Sequence, residues 1–265
     1  MADADAVRDA GIPVRLTPSP EPDAPTPPPA GAPVAGEMSL VGHLTELRNR
    51  VVKIVIAIAV MSTIGFLFGD QIVAILKAPL PGDKPLYYTG IGDAFTIKLK
   101  IAIVVGIILS MPVILYQLWA FVAPGLTPNE QRMVRPWIPL ALFFFALGTA
   151  IAYVILPFAA GFLIGFSTED LQPLITAGSY FDFVTTMFLA FGLVMEFPIL
   201  LYGLSRVNIV TSQRLIRARR TSILAIAIFA AAITPGTDIV SPIVLGVTMY
   251  ILFEGTIFFI RRSGK

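Results

Sequence analysis

The chain has 265 residues, of which 56% are hydrophobic and 14% charged, against roughly 25% charged in a soluble domain. That composition places it in a membrane, and a net charge of +2 gives no basis for nucleic-acid binding. There is no cysteine and His43 is the single histidine, which excludes disulfides, thiolate chemistry and multi-histidine metal sites; neither a metal nor a cofactor is expected.

Residues 1–36 carry the stretch SPEPDAPTPPPAGAP and scattered acids. A segment so rich in proline and alanine buries no core and is expected to form a disordered or extended tail. It lacks the basic-then-apolar plan of a cleaved signal peptide, because the first long apolar run begins only at Val51. Residues 37–262 read as one membrane domain, followed by a short tail at 263–265.

The domain opens on HLTELRNR at 43–50. Leu40, Leu44, Leu47 and Val51 recur at helical spacing and form one apolar stripe. Glu46 and Arg50 lie four residues apart on another face, where they can pair. This is the pattern of an amphipathic helix at the membrane interface.

A helix needs about 20 apolar residues to cross the hydrocarbon. Six candidate spans follow: Val51–Phe68, about Ile97–Phe121, Trp137 to about Phe162, Phe183–Leu204, about Thr221–Ile233 and about Pro242–Ile260. The fifth is short for a full crossing. GIGDAF at 90–95 reads as a loop before the second span. Pro112, Pro157 and Pro198 fall inside spans, where each removes a backbone hydrogen bond and should bend its helix. Pro136, Pro139 and Pro242 lie near helix starts, where proline is tolerated.

The second span runs into YQLWAFVAPGLTPNEQRMVRPW at 116–137. Trp119, Phe121 and Trp137 suit an aromatic belt. Pro124-Gly125 and Thr127-Pro128 mark a turn, and Glu130 follows it as an isolated acid. In the fourth span FGLVMEFPIL, at 191–200, contains a lone carboxylate, Glu196. A charge at membrane depth is costly and rarely idle. Glu196 either pins helix packing through hydrogen bonds or faces a polar cavity and meets a ligand.

Six spans put both termini on one side. That side collects Arg48, Arg50, Lys53, Arg132, Arg135, Arg206, Arg214, Arg217, Arg219, Arg220, Arg261, Arg262 and Lys265. The other side holds Lys77, Lys84, Lys98 and Lys100. Positive residues mark the cytoplasm, so both termini are expected inside. Glu196 lies 14 residues after Asp182, about 21 Å along a helix, which puts it in the same leaflet as Glu46 and Glu130. Acids gathered on one side suit a cationic partner arriving from the cytoplasm.

The chain shows no G-x-S-x-G, H-E-x-x-H or phosphate-loop motif. An enzyme is therefore not expected, which leaves binding, transport or assembly.

HLTELRNR at 43–50, FTIKLKIAIVVGIILSMPVILYQLWAFVAPGLTPNE at 95–130 and FGLVMEFP at 191–198 together resemble the TatC family, the core membrane subunit of the twin-arginine protein translocase. The resemblance runs from about Leu40 to Ile260. It implies an all-α membrane protein of six transmembrane helices in a concave, glove-shaped arrangement, with both termini cytoplasmic. It also implies a receptor that binds the twin-arginine signal peptides of folded cargo through Glu46 and Glu130, in a site shaped by Arg48, Phe121 and Pro124. Glu196 matches the family's in-membrane carboxylate. Pro79, Tyr153, Thr234 and Asp238 match positions of structural support or partner contact. The implied partners are the single-span subunits TatA and TatB, docking along the last two helices, and further copies of the chain in a complex driven by the proton gradient. The implied location is the cytoplasmic membrane. The competing reading is a proton- or cation-coupled secondary transporter using Glu196. Inverted repeats would favour it, and HLTELR and YQLWAF each occur once.

Overall fold

In hydrocarbon every backbone N–H and C=O needs a partner within its own segment, so long apolar runs become helices. The computed structural model describes residues 40–82, 85–125, 127, 131–132, 136–168, 170, 172–206, 210–234 and 238–262. Residues 43–265 cluster as one compact unit. The expected tails at 1–36 and 263–265 lie outside the described residues.

The helices are α1 (Leu40–Leu67), α2 (Gly69–Lys77), α3 (Asp93–Val122), α4 (Trp137–Ile164), α5 (Ala177–Val194), α6 (Phe197–Arg206), α7 (Ser212–Arg217), α8 (Arg219–Ile233) and α9 (Val240–Arg262), with a 3-10 turn at Ala123–Gly125. Among the described residues there is no strand, and Tyr87 forms an isolated bridge with Thr176. The all-helical class expected from composition is what the chain adopts.

Among the described residues five stretches are long and apolar enough to cross a membrane: Gly42–Leu67, Asp93–Gly125, Trp137–Ile164, Ala177–Ser205 and Val240–Arg262. The segment read as a short fifth span is α8, a helix of 15 residues, about 22 Å long at 1.5 Å per residue. α2 was not legible as an element. The loop read over 90–95 also needs correction, because α3 already starts at Asp93. The Asp93 carboxylate accepts from Thr89 N at 3.0 Å and Gly90 N at 2.7 Å, which closes the turn and starts the helix.

The prolines do not act alike. Pro112 and Pro157 lie within helices that run on past them. Near Pro198 the span read as one helix divides into α5 and α6 at Met195–Glu196. Pro198 has no N–H to offer the carbonyl four residues back. The chain tightens instead, with Glu196 N donating to Leu193 O at 3.1 Å, and it restarts as Ile199 N and Leu200 N both donate to Glu196 O at 3.1 Å.

α4 and α5 share the most extensive helix–helix contact. Small residues permit it. A Cβ added at Gly148 would overlap the Phe191 carbonyl, and one at Gly192 would lie 2.7 Å from Phe145 Cε2. Close backbone approach through glycine and alanine is the usual basis of helix association in membranes, where apolar burial gives little drive. Ala152, Leu156, Val184, Met187 and Phe191 are fully buried along this seam. Ile101 of α3 and Phe253 and Ile257 of α9 complete the core. α1 buries little, and Val52, Val55, Ile56 and Val60 remain about half exposed, as on a lipid-facing helix. It meets α3 at Gly106, where an added Cβ would overlap Ser62.

Polar ties lie towards the ends. At one end Lys98 pairs with Asp70 and Lys100 with Asp182, both at 2.5 Å, and Tyr180 donates to Leu76 O at 2.7 Å. At the other, Arg219 of α8 pairs with Glu254 of α9 at 2.7 Å.

Candidate functional site

Glu46 lies on the first turns of α1, and Arg50 stands one turn further along the same face. The expected pair forms. Arg50 Nε donates to Glu46 Oε1 at 3.1 Å, and Arg50 Nη2 donates to the same oxygen. Arg50 Nη1 also reaches Gln117 Oε1 on α3 at 3.4 Å. The guanidinium therefore clamps the start of α1 to the end of α3. Both side chains are largely withdrawn from solvent, at 20% exposure for Arg50 and 22% for Glu46. Glu46 Oε2 is buried with no hydrogen-bond partner among the described residues. A half-satisfied buried carboxylate is unfavourable and invites a further donor.

An aromatic wall stands beside it. His43 of α1 stacks on Phe121 of α3, with ring centroids 4.5 Å apart and 24° between planes. Pro124 sits exposed in the 3-10 turn just beyond, and Gln131 Nε2 donates back to Ala123 O at 2.8 Å. Arg48 is exposed on α1. The structure thus gathers Glu46, Arg50, Phe121 and Pro124 at one junction of α1 and α3. Glu130 lies outside the described residues.

Two contributors escaped sequence reasoning. Gln117 is a buried amide in an otherwise apolar stretch, and that isolation was its signal. His43 was noted only as the single histidine. Trp119, read as a belt residue, has its Nε1 buried without a partner among the described residues.

Glu196 occupies the α5–α6 break. Its side chain is half-buried, and Oε1 has no hydrogen-bond partner among the described residues. It shares no hydrogen bond or ion pair with Glu46 there. The break packs on α4, since a Cβ at Gly148 would meet Met195 Cγ at 2.7 Å.

The remaining expected residues occupy other places. Pro79 is half-buried in the turn after α2. Tyr153 OH reaches Ile75 O at 3.5 Å, and its ring meets Phe188 edge-on at 6.4 Å. Thr234 caps the end of α8, its hydroxyl donating to Ala230 O. Asp238 Oδ2 accepts from Ser241 N at 2.7 Å and so starts α9, while Oδ1 is buried without a partner among the described residues. A cavity of about 570 Å³ between the end of α4 and the start of α5 is lined by one carboxylate, Asp182, already paired with Lys100.

Residues 42–247 match the family model described as Sec-independent protein translocase protein (TatC). The Sec-independent protein translocase protein TatC of Carboxydothermus hydrogenoformans is 38% identical over 223 residues, covering 83% of this chain and 92% of that one. The Escherichia coli K12 protein of the same name is 36% identical over 227 residues, covering 84% and 88%. A crystal structure described as the twin-arginine translocase receptor TatC superposes with a TM-score of 0.72 at 32% identity, covering 84% of this chain and all of that one. The chain belongs to the TatC family of Sec-independent protein translocase proteins, as a multi-pass membrane component of the translocase.

Proposed function

We propose that the chain is the receptor and core subunit of twin-arginine export. In this reading it binds the twin-arginine signal peptide of a folded cargo protein and gathers TatA and TatB for transport across the cytoplasmic membrane, driven by the proton gradient. The observation that carries this reading is the state of Glu46. One carboxylate oxygen already holds a guanidinium, that of Arg50, while the other is buried beside an aromatic wall with no partner among the described residues. Carboxylates recognise guanidinium through parallel, charge-assisted hydrogen bonds that lysine does not reproduce. Glu130 supplies the second carboxylate on the strength of its motif, and Arg48, Phe121 and Pro124 bound the site. The arginine-rich ends support an orientation with both termini inside. TatA and TatB are assigned to the flank formed by α8 and α9, with Thr234 and Asp238 at its turn and Pro79 and Tyr153 as supports. Further copies of the chain complete the complex.

The purified protein should bind a twin-arginine peptide about tenfold or more tightly than the same peptide with paired lysines, the factor that corresponds to 1.4 kcal/mol. Equal binding of the two peptides, read by titration of a fluorescent peptide, would remove the receptor reading.

Glu196 serves that reading as a polar contact at depth, and its buried oxygen, without a partner among the described residues, also suits the transporter reading. Two variants separate them. Glu196→Ala should lower export several-fold while the protein still accumulates in the membrane, and Glu196→Gln should keep most export, because the amide still hydrogen-bonds. Export lost equally in both, with normal accumulation, would mean that the ionisable group itself is required and favour proton or cation coupling.

A further inference from the structure

Three neighbouring cavities line the end of the molecule where α4 begins and α6 and α9 finish. The first, about 310 Å³, lies between these helices and is walled by Trp137, Phe144, Tyr202, Ile251, Gly255 and Phe259 among others. Its lining residues are apolar apart from Trp137, Tyr202 and Thr256. The second, about 210 Å³, shares Trp137, Tyr202 and Phe259 with the first and adds Arg262. The third, about 480 Å³, shares Arg262 and adds Arg219, Arg261, Glu254 and Phe258. An apolar slot therefore lies next to a basic chamber, with Arg262 between them.

The charge of that chamber is not balanced. Three arginines face one carboxylate, and Glu254 is already engaged by Arg219 at 2.7 Å and by the Tyr250 hydroxyl at 3.4 Å. Arg261 and Arg262 are exposed and have no carboxylate partner among the described residues. Trp137 and Tyr202 stack at 3.7 Å and 19° where slot and chamber meet. Stacked amphipathic rings at that position are what the headgroup level of a bilayer favours. Phe258, Phe259 and Ile251 are each about 60% exposed, so the slot faces the surrounding lipid.

The occupant of such a site carries an apolar chain and, at one end, a negative charge. We propose that this groove is a binding site for an acidic phospholipid, with an acyl chain in the slot between α4, α6 and α9 and the phosphate on Arg261 and Arg262. Guanidinium pairs bidentately with phosphate oxygens, and basic pockets between membrane helices take anionic headgroups. A zwitterionic lipid fills the slot equally well but brings a cation next to the arginines, so the headgroup sets the preference. The arginines of α9 then do more than mark the inner side: they hold a particular lipid against the junction of three helices. This site uses none of the residues around Glu46.

The test uses the full chain carrying Trp119→Phe, which leaves Trp137 as the single tryptophan. The protein is reconstituted into bilayers of equal phosphatidylglycerol and phosphatidylcholine, with bromine on the acyl chains of one lipid or the other. Brominated phosphatidylglycerol should quench Trp137 several-fold more than brominated phosphatidylcholine. Arg261→Gln with Arg262→Gln should bring that ratio to one, and Arg261→Lys with Arg262→Lys should retain part of it. Equal quenching in the parent protein, or an unchanged ratio in the double glutamine variant, overturns the headgroup assignment.

Gly255→Leu tests the slot. A Cβ at Gly255 meets nothing within 4 Å, and the residue lines the slot, so the added side chain should occupy it. Quenching by both lipids should fall in this variant while gel filtration stays unchanged, and undiminished quenching means that no acyl chain enters the slot. Excess inorganic phosphate, compared with chloride at equal ionic strength, should leave the preference intact. Its loss would show that the arginines form a simple phosphate site and would remove the lipid assignment.

Discussion

Charge reversal in Glu46→Arg should abolish binding of a twin-arginine peptide, and Glu46→Gln should weaken it about thirtyfold or more. The magnitude follows from removing one member of a withdrawn, hydrogen-bonded charge pair, which costs about 2–5 kcal/mol, or at least thirtyfold in affinity. Arg50 gives the experiment its sign. It occupies Oε1 of the carboxylate assigned to the peptide in the proposed reading, and there it would act as a competitor as well as a clamp. Arg50→Gln should therefore tighten peptide binding by about two- to fivefold, the value of a partly exposed ion pair, while Glu46→Gln moves it the other way. Peptide titration of the purified variants reads both. Equal weakening in both would mean that Arg50 belongs to the ligand's site as a partner and not as a rival. Unchanged binding in Glu46→Gln and Glu46→Arg would displace the site from α1 altogether.

The second large effect is on folding. Gly148→Leu should prevent the protein from accumulating, because the new side chain has to enter space held by the Phe191 backbone carbonyl. Side chains can change rotamer to make room, whereas a carbonyl inside a helix moves only with the helix. Overpacking of this kind costs about 1–3 kcal/mol for small intrusions and more when backbone shifts. Gly148→Ala, with its single methyl, should also lower thermal stability. Gly255→Leu is the matched control, since its surroundings are open. Membrane levels of the three variants, followed by gel filtration in detergent, provide the readout. Normal levels of Gly148→Leu would mean that α4 and α5 do not approach so closely.

Much of the fold was legible because membrane chains obey a narrow rule: a long apolar run becomes a long helix. The Glu46–Arg50 pair was legible too, since a four-residue spacing on a helix is a local relation. Pro198 marked the division of the fourth span, though not that the helix would end and restart around Glu196. What escaped depends on distance in sequence. Gln117 meets Arg50 across 67 residues, and Trp137 stacks on Tyr202 across the whole of α4 and α5. No periodicity encodes such meetings; the packing of glycine-bearing helices does. α2 escaped for another reason. Its nine residues are too short to register as a span and too apolar to read as a loop.

The shortness of α8 has a mechanical meaning. Its 15 residues reach about 22 Å, while the hydrocarbon layer is about 30 Å thick. Its neighbour α9, with 23 residues, reaches about 34 Å. Ile223, Leu224, Ile228 and Phe229 of α8 face outward, so the shortfall is met by lipid and not by protein. Each ångström of mismatch costs a fraction of a kcal/mol, and the annulus relaxes by compressing towards α8. If α8 crosses as the fifth span, the bilayer should thin along that flank of the molecule. A polar object crossing there would then meet a thinner barrier than beside α4 or α9.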